Sequence, residues 1–413
     1  MKLQPYIVLL SAIVILTGCS SEIPMLSLGI DDYYAVERMR KLHLESAFTG
    51  AAYRWEMTAP DGSRRVVADT RDYIFLAGEE GDYTFSFDVI DDASPYHHEF
   101  TVRVVHEEVE YSPFISKVYE YCPAPGQFVN EMPMYEPGDT YADIIKKAEE
   151  SISGKNDIMI SLGGYGGYVT FGFDHTVMNV EGEKDFRIWG NAFYELLDPS
   201  KRGGSAEPGI VMVSYDENMN GLPDDPWYEL AGSEYRSPST KHGYSITYTR
   251  PQEGKTPVPD DSGFLTDTTY IPWRDSEGTT GYIARNSFHL QDYYPKWVEE
   301  DEITFTGTLL APNGVDLSGT GRYYVLYSYD WGYVDNHPND YSDLNSFDIG
   351  WAVDSKGNKV NLPGVDFVRV YTGLNQYCGW LGETSTEICR ARDLHVRDLT
   401  DPTETPLPDP MQQ

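Results

Sequence analysis

Six acidic or amide side chains fall within ten residues, 216–225, of the segment YDENMNGLPDDPWYELAGSEY, residues 215–235. Asp216, Asn218 and Asn220 stand at positions 1, 3 and 5 of this loop, Gly221 at 6, Leu222 at 7 and Asp224 at 9. Short oxygen-bearing side chains alternating around a tight glycine turn can converge on one point. Calcium asks for that arrangement, because it takes six to eight oxygens at about 2.3–2.6 Å, including a backbone carbonyl at position 7. Position 12 is Trp227 where a helix-flanked calcium loop has glutamate, so Asp225 or Glu229 must supply the missing carboxylate. The predicted metal set is Asp216, Asn218, Asn220, Leu222, Asp224 and Asp225. The competing expectation is an Asx-rich turn with solvated carboxylates. No histidine accompanies the loop closely, His175 and His242 being the nearest, so the ion is expected to be structural. Its task would be to hold Trp227, Tyr228 and Tyr235 rigidly.

Two further groups of rings could bind a ligand. Tyr329, Trp331 and Tyr333 alternate, with Asp330, Asp335, Asn336 and Asp340 among and after them. This reads either as an aromatic platform beside hydrogen-bond acceptors or as core rings with a polar loop. Trp273, Tyr282, Tyr293, Tyr294 and Trp297 lie in loop-rich sequence, where binding residues on a rigid scaffold tend to sit. No H-E-x-x-H, C-x-x-C or G-x-S-x-G pattern occurs, and the carboxylates are too many to single out a catalytic pair. The chain is expected not to be an enzyme.

The elements that must position these residues read as strands. Tyr53, Trp55 and Met57 alternate, as do Tyr83, Phe85, Phe87 and Val89, and Phe100, Val102 and Val104. Turn-separated strands at that spacing predict a small Ig-like sandwich over residues 30–106. One helix is expected after Thr140, which can cap it with Asp143. Ile144, Ile145, Ala148 and Ile152 share its face, and Gly154 ends it. The glycines of SLGGYGGYVTFGFDH imitate a phosphate cradle, yet a strand follows them and no Lys-Ser/Thr is present, so a tight bend is the expectation. About a dozen strands then predict a larger, jelly-roll-like β-sandwich over residues 107–398, with a hairpin turn at residues 355–358. The fold class is therefore mainly β, and residues 399–413 have too few apolar side chains to pack.

The 413 residues carry a formal charge of −35, which repels a phosphate backbone and excludes nucleic-acid binding. The N-terminus, MKLQPYIVLLSAIVILTGCSS, has one lysine and an eleven-residue apolar stretch from Tyr6 to Leu16. That is short of the about 20 residues a spanning helix needs. Leu16-Thr17-Gly18-Cys19 has lipobox spacing. Residues 1–18 are thus expected to be a signal peptide, Cys19 the lipidated residue and residues 19–29 a tether, with the membrane reached by the anchor alone. Of the remaining thiols, Cys378 and Cys389 are the local disulfide choice, though either could pair with Cys122.

The segment over residues 30–106, with its early tryptophan and the late GDYTFSFDV strand, resembles PKD-like modules. Taken together, the lipobox, VYEYCPAPGQFVN, SLGGYGGYVTFGFDH, FRIWGNAF, EPGIVMVSYDENMNGLPDDPWYELAGSEY, YDWGYVDN, FDIGWAVD and VDFVRVYTG resemble surface lipoproteins of gut Gram-negative bacteria associated with cobalamin capture. The resemblance spans about residues 50–395. It implies a non-enzymatic, surface-exposed outer-membrane lipoprotein that binds cobalamin or a related corrinoid as a ligand and passes it to a TonB-dependent transporter. The alternative carried by the residues themselves is a calcium-braced glycan-binding or adhesion lipoprotein. A calcium-dependent hydrolase is a third, for which no catalytic set is found.

Overall fold

The computed structural model describes residues 29–91, 95–155, 158–195 and 202–396. The lipobox with Cys19 and the tail lie outside the described residues. Contacts divide the chain into two compact units. One is built from the stretches up to Tyr34, His43–Tyr73 and Tyr83–Val102, the other from Ala35–Leu42, Ile74–Asp82 and the chain from Arg103 on.

The N-terminal strands alternate as expected. A five-stranded sheet runs in the order Tyr33–Glu37, Tyr96–Val105, Gly81–Ile90, Ala52–Thr58, Arg64–Ala68, and Lys41–Glu45 pairs with Asp72–Leu76. The inward positions of Gly81–Ile90 and Ala52–Thr58 form an aromatic core. Trp55 is fully buried with its ring 3.9 Å from that of Phe87, and Phe85 stacks on Phe100 at 5.1 Å.

In the larger unit a six-stranded sheet runs Ala352–Val353, Trp227–Leu230, Gly209–Ser214, Gly364–Thr372, Tyr168–Met178, Lys117–Cys122. Its central strands are covered on both faces, which is why Tyr168–Met178 is buried along nearly its whole length. The helix Tyr141–Ile152 turns Ile144, Ala148 and Ile152 into the core. Its Thr140–Asp143 capping box is complete, so two otherwise orphaned N–H donors are satisfied locally. A four-stranded antiparallel sheet (Thr280–Asn286, Leu265–Asp275, Lys241–Thr249, Glu302–Leu309) and a second (Phe193–Tyr194, Gly203–Ser205, Tyr324–Tyr327, Gly314–Asp316) complete the larger sheets, with smaller ones beside them. The chain is mainly β, as its alternation predicts.

The glycine-rich segment is a packing feature. Gly163 has φ +68°, and a Cβ there would lie 1.9 Å from the Ala124 carbonyl oxygen; at Gly167 a Cβ would meet the Leu162 carbonyl oxygen at the same distance. Backbone meets backbone where any side chain would intrude. The turn at residues 355–358 forms, with the Asp354 carboxylate accepting the Lys356 and Asn358 N–H groups. The disulfide expectation is corrected: among the described residues no bridge joins Cys378 to Cys389, or either to Cys122.

Candidate functional site

The acidic loop is anchored at its first residue. Asp216 ends the run that begins with the strand Gly209–Ser214, its N–H donating to Asp366 Oδ2 at 2.7 Å. Lys41, of the same unit, donates to the Asp216 carbonyl (2.9 Å) and to Asp366 Oδ2 (2.6 Å). The Asp216 carboxylate turns into the loop and accepts N–H from Asn220 (3.1 Å) and Gly221 (3.0 Å). Met219 and Gly221, at φ +55° and +73°, supply the tight turn. Asn218 and Asn220 each accept a loop N–H on their side-chain oxygens and donate from their amides to Asp224.

Asp225 turns back toward the loop, close to the Glu217 and Asn218 N–H groups. Burial, with Asp216 and Asp224 nearby, raises its pKa, and its Oδ2 is buried without a hydrogen-bond partner. Glu229, the other candidate for the missing carboxylate, is turned elsewhere and accepts from Thr308 Oγ1 at 2.6 Å. The loop carries three carboxylates, two amide oxygens and the Leu222 carbonyl, but Asp216, Asp224 and Asp225 do not bring an oxygen each within 4.8 Å of one another, and the two amide oxygens and the Leu222 carbonyl accept loop N–H groups instead.

The predicted rings do not form one platform. Tyr293, Tyr294 and Tyr333 are core residues, at most 3% exposed, which corrects their assignment as ligand contacts. Tyr293 accepts the Asn286 N–H and donates to the His289 carbonyl; Tyr294 donates to the Glu300 carbonyl; Tyr333 accepts the Glu234 N–H. Tyr329 packs edge-on against Tyr333 and donates to the Ala311 carbonyl. Trp273 lies across the strand pair from Gly281 and packs on the same core as Tyr293. Asp335 and Asn336 are fully buried, so they are not surface acceptors.

Trp227, Tyr228 and Tyr235 remain half-exposed after the loop. Trp227 lies under the Arg369 guanidinium, 4.3 Å from its ring centre, while Tyr228, the next residue along the strand, packs against the main core. Tyr235 packs its ring at a tilt against His242. Asp330 and Trp331 are exposed. Trp331, 38% exposed, pairs with Trp351, their ring centres 4.6 Å apart. Lys184 sits 3.6 Å over Trp351. The chain leaving Trp227–Leu230 holds both tryptophans: Ala231 donates its N–H to the Trp351 carbonyl and Ser233 to that of Trp331. Trp351 closes the 3-10 turn Ile349–Trp351 and has no ring at i±2 in the sequence to single it out.

A second carboxylate group was also missed. Glu207, Asp335 and Glu387 each bring an oxygen within 4.8 Å of the others. Asp335, at φ +56°, accepts N–H from Asn191 and Ala192 on one oxygen and from Glu387 on the other. Burial, and for Glu207 the adjacent Asp335, raises Glu207 to about 8 and Asp335 to about 7; burial with both neighbours raises Glu387 as well. Three such oxygens can be reconciled by protons held between them or by a hard cation.

No family model matches the chain, and no curated protein matches it. Among solved structures, a SusE-like protein overlaps 86% of this chain and 94% of its own at 8% identity and a TM-score of 0.28. A structure described as explaining the promiscuous specificity of carbohydrate-binding modules from the β-sandwich superfamily overlaps 88% of this chain and 92% of its own at 10% identity and a TM-score of 0.15. At these values the likenesses bring no function with them.

Proposed function

We propose that this chain is a lipid-anchored surface protein of the outer membrane that binds a glycan, without transforming it, on an aromatic edge braced by a calcium loop. The observation that carries the reading is the Trp331–Trp351 pair, half open to solvent and tied by backbone hydrogen bonds to the chain that leaves the loop. Sugar rings present C–H faces that pack on indole, and their hydroxyls suit a rim of polar groups. Lys184 over Trp351 and the exposed carboxylate of Asp330 supply a donor and an acceptor at that edge. Calcium, held by Asp216, Asn218, Asn220, Leu222, Asp224 and Asp225, would neutralise the crowded carboxylates and stiffen the approach to the strand. The lipobox at Cys19 supports the anchor.

The corrinoid reading, with delivery to a TonB-dependent transporter, rests on the sequence resemblance. It asks for a broad contiguous ring face, and three of the rings enlisted for it are buried. A glycan array probed with the full chain in calcium, run beside calorimetric titration with cyanocobalamin, decides between them. Binding to glycans that falls at least tenfold in Trp331→Ala is the expected result. Heat from cyanocobalamin with a silent array would replace the glycan reading by the corrinoid one.

A further inference from the structure

The four-stranded sheet containing Leu265–Asp275 and Thr280–Asn286 carries a cavity of about 360 Å³ on its edge. Its walls include Gln252, Lys255, Asp267, Tyr270, Arg285 and Leu290. Arg285 is the unusual member. In a chain of charge −35, where most cations find carboxylates, its guanidinium makes no hydrogen bond or ion pair with a described residue, and its Nε is buried without a partner. It lies over the Tyr270 ring at 5.2 Å, which holds it in place without satisfying a donor.

The expected partner is nearby but already engaged. Asp267 stands opposite Arg285 in the strand register. Its Oδ2 takes Lys255 at 2.6 Å, and its Oδ1 accepts the Val258 and Thr269 N–H groups and the Thr269 hydroxyl. The other acid at hand, Asp292, accepts from the Tyr270 hydroxyl and pairs with Lys296. Lys255 and Asp267 cancel, leaving the pocket one uncompensated positive charge presented by a planar fork of donors. The Nη atoms of Arg285, likewise without a hydrogen bond to a described residue, are the donors a ligand in the cavity can reach.

We infer that this cavity is a binding site for a small carboxylate, gripped by the Arg285 fork. A guanidinium matches a carboxylate in two parallel hydrogen bonds. One net charge suits a monoanion; a phosphate dianion would need a second free cation and would face Asp267. The volume lies at the low end of the about 300–1,000 Å³ usual for small-molecule sites, which fits one acid unit. Such a carboxylate could belong to an acidic sugar or to a free organic acid. The site uses none of the residues of the tryptophan edge and stands or falls separately from it.

The test is titration of the full chain, by calorimetry or ligand-detected NMR, with D-glucuronate, D-galacturonate, succinate, D-glucose and inorganic phosphate. A carboxylate should bind where glucose does not, more weakly at high salt. Arg285→Met should weaken that binding at least tenfold while leaving thermal unfolding near that of the parent, since no protein hydrogen bond is lost. Should that variant fail to fold, Arg285→Lys keeps charge and stem and should still lose severalfold, because the fork is gone. Uronates binding in preference to succinate assign the site to acidic sugars; equal binding assigns it to small carboxylates generally. Silence from every carboxylate, phosphate binding in their place, or unaltered carboxylate affinity in both variants overturns the inference.

Discussion

Two groups of carboxylates in this protein are built in opposite ways. The loop of Asp216, Asp224 and Asp225 lies within ten residues, faces solvent over much of its surface and satisfies itself with its own backbone N–H groups. Glu207, Asp335 and Glu387 come from distant parts of the chain and meet in the interior. Proximity in sequence lets the first keep its charges near water, where hydration and nearby amides moderate repulsion. Burial denies the second that solvent, so its carboxyls are held toward the neutral form. The same residue chemistry is therefore hydrated and satisfied by local backbone at one place and driven to proton retention at the other.

The sharpest way to break the contrast is Asp335→Ala. Three N–H donors, two of them buried, would lose their acceptor. A loss of about 3 kcal/mol or more in urea unfolding is expected, against much less for any single change in the loop. A loss below about 1 kcal/mol would mean the interior group organises nothing.

The pH dependence comes next in size. Carboxyls of the interior group bind protons more tightly folded than unfolded, where they titrate near 4. Between that value and the folded values of about 7 and about 8 the folded state holds the extra protons, so this contribution to stability declines as pH rises through the window and levels off above it. In chelator, the melting temperature should drop by about 5 °C or more from pH 5.5 to 8.5, and Glu207→Gln should flatten the curve. A flat profile for the parent chain in chelator would show these groups ionised already; a flat profile only when divalent cations are added would show a cation in place of the protons.

The smallest effects belong to the loop. Asp216→Ala removes an acceptor from two loop N–H groups and should cost about 1–2 kcal/mol in chelator. It should also abolish any calcium-dependent rise in melting temperature. Leu222→Ala is the control: its side chain is exposed and only its carbonyl is enlisted, so calcium affinity should stay within about twofold. Calcium binding that survives Asp216→Ala, read by calorimetry, would place the ion elsewhere.

What the sequence determined by itself is what neighbouring residues settle among themselves. The alternation of Tyr83, Phe85 and Phe87 demands a half-buried strand, Thr140 and Asp143 close a helix end locally, and the spacing of Asp216, Asn218 and Asn220 folds the loop around its own turn. Tertiary structure alone decided which rings see water. Tyr293, Tyr294 and Tyr333 have the same chemistry as Tyr228 and Tyr235, yet the first three are buried and the others are half-exposed. It alone brought Glu207, Asp335 and Glu387 together and drew Asp267 to Lys255 and away from Arg285. The physical reason is that a side chain's exposure and charge state depend on what distant strands pack against it, and a periodicity of two along one strand reports which residues share a face but not what covers that face.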